Sequence, residues 1–135
     1  MKVIEGEAPM FEKLEIVRMA QAMAAHAGAR QSEIARNIAN ADTPGFRARD
    51  LRPFGEVYDS PDGGMRASRP SHLDAGSGPG EAAQDRLIAG STSPNGNSVS
   101  LEAEMVKAVE VRQQHEMALA IYRSTSGIIR ASLGR

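Results

Sequence analysis

The chain has 135 residues, with 16 Lys and Arg against 17 Asp and Glu, so its formal net charge of -1 supplies no long-range field for nucleic acid or an anionic membrane. It contains no Cys, which excludes disulfides, thiolate metal sites and thiol catalysis, and aromatics make up only 4%, too few for a core built around large rings. The length bounds it to one domain, and no uncharged apolar run reaches the length of a bilayer span.

In chain order, residues 1–9 read as an N-terminal extension, with Glu5 and Glu7 breaking the apolar stretch that a cleaved secretory signal requires. The segment 10–40 is predicted to be the first long helix. Ile16, Ala20, Met23, Ala27, Ile34 and Ile38 recur on one side of it, and Arg30 interrupts the stripe. Ala24, Ala25, Ala27, Gly28 and Ala29 have little bulk, so another helix can approach closely there. The helix is expected to stop at Asn37 to Phe46. Asn40 can adopt the left-handed conformation that closes a helix, Asp42 can bond its own backbone, and Pro44 and Gly45 suit the centre of a type II turn. Pro44 also disfavours helical geometry at Thr43.

The turn leads into an extended segment at 41–58, where Phe46, Leu51, Phe54, Val57 and Tyr58 fit one or two short strands that Pro53 confines to an edge. Residues 59–97 hold Pro61, Pro70, Pro79 and Pro94 with many Gly and Ser and few large apolar side chains, the composition of a flexible linker-like centre. Within it Gln84 to Ala89 fits a helical turn, and Ser93 to Asn97 a turn into the next element. Residues 98–135 form the second long helix, with Ser100 as N-cap and Glu102 and Glu104 at the positive end of its dipole. Leu101, Met105, Ala108, Arg112, His115, Leu119, Tyr122, Ser126, Ile129 and Leu133 follow one another in steps of four and three, a heptad stripe. Val109, Val111, Ala118, Ile121 and Ile128 widen it beyond a two-helix seam, which implies more than one neighbour. The expected fold is mainly α, with two long terminal helices in a coiled-coil-like hairpin, a short extended segment and a flexible Gly/Pro/Ser-rich centre.

The residues give no catalytic, cofactor or metal site. His26, His72 and His115 lack a second His or a carboxylate at ligand spacing. Asp59 to Gly64 lacks the closing Glu of a calcium loop, and Gly76 to Gly80 lacks the strand and Lys of a phosphate loop. Arg47, Arg49 and Arg52, interleaved with Phe46 and Phe54, form a small basic cluster; Asp50 among them and the overall charge favour a solvated edge or a protein contact over nucleic acid.

Asn37, Asn40, Asp42, Thr43, Pro44, Gly45 and Phe46 together resemble the N-terminal signature of the flagellar rod and hook proteins, a helix running into Asn-x-x-Asn, Thr-Pro-Gly and an aromatic residue. The likeness extends through Met10 to Leu14, through Arg47 to Asp50, and through Gly96 to Met105 at the start of the second helix. Within that family the wording is most similar to the proximal rod subunits. The resemblance implies a non-enzymatic structural subunit of the basal-body rod, polymerising into the axial tube that motility needs. Its assembly stripe would be Ile16, Met23, Ile34 and Ile38 with Leu101, Met105, Ala108, His115, Leu119, Tyr122, Ile129 and Leu133. The implied partners are further copies, other rod subunits, the rod-to-ring adaptor, the membrane-supramembrane ring and the flagellar type III export apparatus, with no direct membrane insertion. Export to the periplasmic rod would leave no cleaved signal. Another rod subunit of the family, or a soluble helical export adaptor or chaperone, remains the alternative.

Overall fold

A computed structural model of the chain describes residues 8–58, 85–88 and 90–134. In chain order these form α1 (Ala8–Ala39), β1 (Arg49–Leu51), α2 (Phe54–Tyr58), β2 (Asp85–Leu87) and α3 (Leu101–Ser132). The fold is mainly α: α1 and α3 have 32 residues each, about 48 Å at 1.5 Å per residue. They run antiparallel. Asn37 near the end of α1 meets Glu104 near the start of α3. Ile34 and Ala27 cluster with Val111 and Ala108, and Ala20 and Ala24 share a small hollow with Ala118 and Tyr122.

The spacing of the buried residues explains how two straight helices stay in contact. Ala20, Ala27 and Ile34 on α1, and Glu104, Val111, Ala118 and Thr125 on α3, are buried at steps of seven. Because two helical turns take about 7.2 residues, a step of seven returns a side chain to nearly the same face. Alanine at Ala20, Ala27 and Ala118 lets the helix axes approach. Of the small-residue patch expected to admit another helix, only Ala27 is buried in this seam; Ala24 is half-buried, and Ala25, Gly28 and Ala29 are exposed because they lie on other sides of α1.

A second side of α1 is covered by the segment that follows it. Ala22 and His26 are buried there, and the His26 ring lies 5.6 Å from that of Phe54. β1 pairs antiparallel with β2, Arg49 opposite Leu87 and Leu51 opposite Asp85.

Two local expectations differ from the structure. Phe54 to Tyr58 is a helical turn rather than a strand, because Pro53 supplies a fixed φ and a missing N–H where a first helical turn needs neither altered; its carbonyl accepts from Glu56 and Val57. Asp85 to Leu87, read within a helical turn, is a strand because β1 offers it an open edge. The linker-like reading of 59–97 lies outside the described residues as far as 84, together with the Asp59–Gly64 and Gly76–Gly80 motifs and His72. Its last part is built into the fold through β2 and the buried Asn97. None of the described helices is long and apolar enough to cross a membrane.

Candidate interaction surface and the polar clasp behind it

The turn after α1 is held by a residue 54 to 57 positions away. Asn97 is 2% exposed, and its Nδ2 donates to the carbonyls of Asn40 at 2.9 Å and of Ala41 and Thr43 at 2.8 Å. Carbonyls at a helix C-terminus lack partners within the helix, so one amide stands in for several missing donors. Asn97 is itself fixed: its Oδ1 accepts from Val99 N at 2.7 Å and its N–H donates to Asn95 Oδ1. This far-side cap removes the need for a left-handed closing residue. No described residue other than glycine has positive φ, so Asn40 does not take that conformation; its Nδ2 folds back onto the Arg36 carbonyl at 2.8 Å.

Thr43 to Phe46 closes as a type II turn, with Gly45 at φ +75° and Phe46 N–H donating to the Thr43 carbonyl at 3.3 Å. Gly96, at φ +84°, packs against it so closely that an added Cβ would lie 3.3 Å from the Gly45 Cα. The two loops are stitched by Gly45 N–H to Asn95 O, Ser98 N–H to Phe46 O and Ala48 N–H to Ser98 Oγ.

Asn37 is fully buried and works as a substitute strand. Its Oδ1 accepts from Arg49 N–H at 3.1 Å, and its Nδ2 donates to Arg49 O at 2.6 Å and to Glu104 Oε2 at 3.1 Å. Glu104 also receives Lys107 at 3.0 Å, and Lys107 lies 3.7 Å from Asp50. Arg30 grips Asp50 with two parallel bonds of 2.8 and 2.9 Å. Two acids and two bases thus neutralise one another across α1, β1 and α3, the condition under which buried charge is tolerated. Burial alone would raise the Asp50 carboxyl, but the hydrogen bond and charge of Arg30, the charge of Lys107 and the Leu51 N–H outweigh it and hold the pKa below the ordinary value. Desolvation lowers the pKa of His26, whose Nε2 bonds the Arg52 carbonyl at 2.8 Å, and buried Nδ1 has no partner.

The predicted turn residues therefore divide by role. Asn37 is buried, Asn40 and Phe46 are half-buried, and Asp42, Thr43, Pro44 and Gly45 form an exposed tip. Of the predicted stripe, Ile34 is buried; Met23, Ala108, His115, Leu119 and Ile129 are half-buried; Ile16, Ile38, Leu101, Met105, Tyr122 and Leu133 are exposed. The intramolecular seam of α3 shares the column containing Ala108, His115, Tyr122 and Ile129. Its other column, Glu104 to Thr125, is one residue away from Met105, Arg112, Leu119 and Ser126, a rotation of about 100°. Apolar periodicity selects Met105 over Glu104; the hydrogen bond from Asn37 and the Lys107 ion pair draw Glu104 inward instead.

That rotation leaves large apolar side chains facing outward. Val109 is 69% exposed, and Met105, Val106, Met117 and Ile128 are also exposed on α3, as are Phe11 and Leu14 on α1. No local pattern marks Asn97, Ser98 or the Arg30, Asp50, Glu104, Lys107 set as a site; the sequence signals that touch them are Arg30 breaking an apolar stripe, Glu104 in the first turn of its helix, and the family likeness over Arg47 to Asp50 and Gly96 to Met105.

No protein-family model matches the chain. It is similar to the flagellar basal body rod protein FlgB of Agrobacterium fabrum (strain C58 / ATCC 33970), with 32% identity over 125 residues, covering 84% of this chain and 89% of that protein.

Proposed function

We propose, from the premise that the chain belongs to the family of FlgB-type flagellar basal body rod proteins, that it is a structural, non-enzymatic subunit of the proximal rod. Its two terminal helices form a coiled-coil-like hairpin that polymerises with neighbouring rod subunits into the axial tube used in motility. The observation carrying this reading is the outward apolar surface of α1 and α3, Phe11, Leu14, Met105, Val109 and Met117 among it, beside a sparse internal seam. A second layer of helices would remove those side chains from water at roughly 25 cal/mol per Å². Contacts between different faces of identical or related chains propagate instead of closing, which suits a tube. The clasp around Asn97 holds the exposed tip at Asp42 to Gly45 rigid enough to be a contact. Other rod subunits, the rod-to-ring adaptor and the membrane-supramembrane ring are the proposed neighbours, reached by type III export without a cleaved signal.

The test is to purify basal bodies and measure the intact mass of this chain within them. The expected result is its presence in the rod fraction with its N-terminal segment retained, apart from removal of the initiator Met. Confinement to the cytoplasmic fraction would overturn the assignment, and loss of a signal-length segment would overturn the export route.

A further inference from the structure

We propose that a hollow lined by arginines at the turn end of α1 receives the acidic, apolar surface near the start of α1 in a second copy of the chain. This rests on the reading of the protein as a self-assembling subunit. The basic hollow, about 420 Å³, is bounded by Arg36, Arg47 and Arg49 with half-buried Phe46 between them. Arg36 and Arg47 are exposed, and Arg36 reaches the half-buried Glu33 at only 3.5 Å, a single long contact that leaves its remaining guanidinium donors available to a second carboxylate. Guanidinium groups take carboxylates two bonds at a time, and Phe46 adds an apolar wall.

The same molecule carries the matching chemistry elsewhere. A second hollow of about 300 Å³ is lined by Glu12 and Glu15 together with Ile16 and Tyr58. Glu12, Glu15, Ile16 and Tyr58 are all exposed. Each hollow therefore pairs one sign of charge with an aromatic ring, and the signs are opposite. Glu15 and Arg36 are separated by about 30 Å of rigid helix, so the two surfaces cannot meet within one chain. Joining them between chains is a heterologous contact, which leaves both ends open for further copies. A phosphate surface would need a long-range attraction that a net charge of -1 does not supply, whereas the carboxylates of a second copy come with an apolar surface for Phe46 to meet.

Charge exchange tests this. Sedimentation velocity of the full chain over a concentration series at low ionic strength would compare the wild type with Arg47→Glu, Glu15→Arg and the two combined, with circular dichroism verifying equal helicity. The expected result is concentration-dependent association of the wild type, weakened about tenfold by each single reversal and restored in the combined variant. Restoration cannot come from an intramolecular effect over that distance. Single reversals that associate like the wild type, or a combined variant no better than the singles, would overturn the proposal. A wild type that stays monomeric yet is found in basal bodies would also overturn it, assigning the hollow to a different subunit and leaving the rod function intact. Absence from basal bodies would instead count against the rod function itself.

Discussion

Asn97 shows how one side chain can decide where a helix ends. Its amide serves three carbonyls of the turn after α1, two of which also accept from Thr43 and Phe46 N–H groups. Asn97→Ala removes the donor and leaves partly buried acceptors behind, which costs about 2 to 3 kcal/mol. A urea titration should show a lower midpoint with an unchanged slope; a change within about 0.5 kcal/mol would mean the turn closes without the clasp. His26 adds a pH dependence of definite sign. Its folded pKa lies below the ordinary 6.5, so the unfolded chain takes up the proton first. Stability should fall as pH drops below 6.5 and level off beneath the folded value. Asp50, also lowered, adds a further loss only as pH falls below its ordinary 3.8. His26→Gln, which keeps a donor for the Arg52 carbonyl, should flatten the upper part of the profile; an unchanged profile between pH 7.5 and 5 would remove His26 as its source.

The elements were read from the sequence unevenly, for identifiable reasons. Apolar periodicity and capping chemistry located both long helices, and Ser100 accepts from Ala103 N–H as an N-cap should. The type II turn was legible because Pro44 and Gly45 have strong backbone preferences of their own. What periodicity does not reveal is the Glu104 column of the intramolecular seam, because Glu104 enters through partners 67 positions away and 3 positions away. The strand β2 was misread for the same reason, since its pairing edge lies at the far side of the chain centre. Adjacent substitutions test the register. Val111 is fully buried and Arg112 is exposed beside Glu116. Val111→Ala should cost about 2 to 3 kcal/mol in a denaturation experiment, while Arg112→Ala stays within about 0.5 kcal/mol. Equal effects would contradict a seam that runs through Val111.

For the whole molecule, the proposed function rests on the balance between internal and external burial. The buried apolar side chains among the described residues are mostly alanines, with Ile34, Leu51, Val57 and Val111 as the larger members. Larger apolar groups on α1 and α3 remain in water. On the proposed function, such a chain would gain much of its burial on assembly, so an exposed position would be silent for folding and decisive for the polymer. Val109 separates the two effects, because it is 69% exposed and lies outside the seam. The most direct measurement is the content of this chain in basal bodies purified from cells expressing the wild type or Val109→Asp, beside the helicity of each purified protein. Assembly through the outer helix faces predicts equal helicity, with the Val109→Asp chain synthesised but absent from the rod, because an unpaired carboxylate would be buried in every subunit contact. Complete rods and normal motility with Val109→Asp would contradict it.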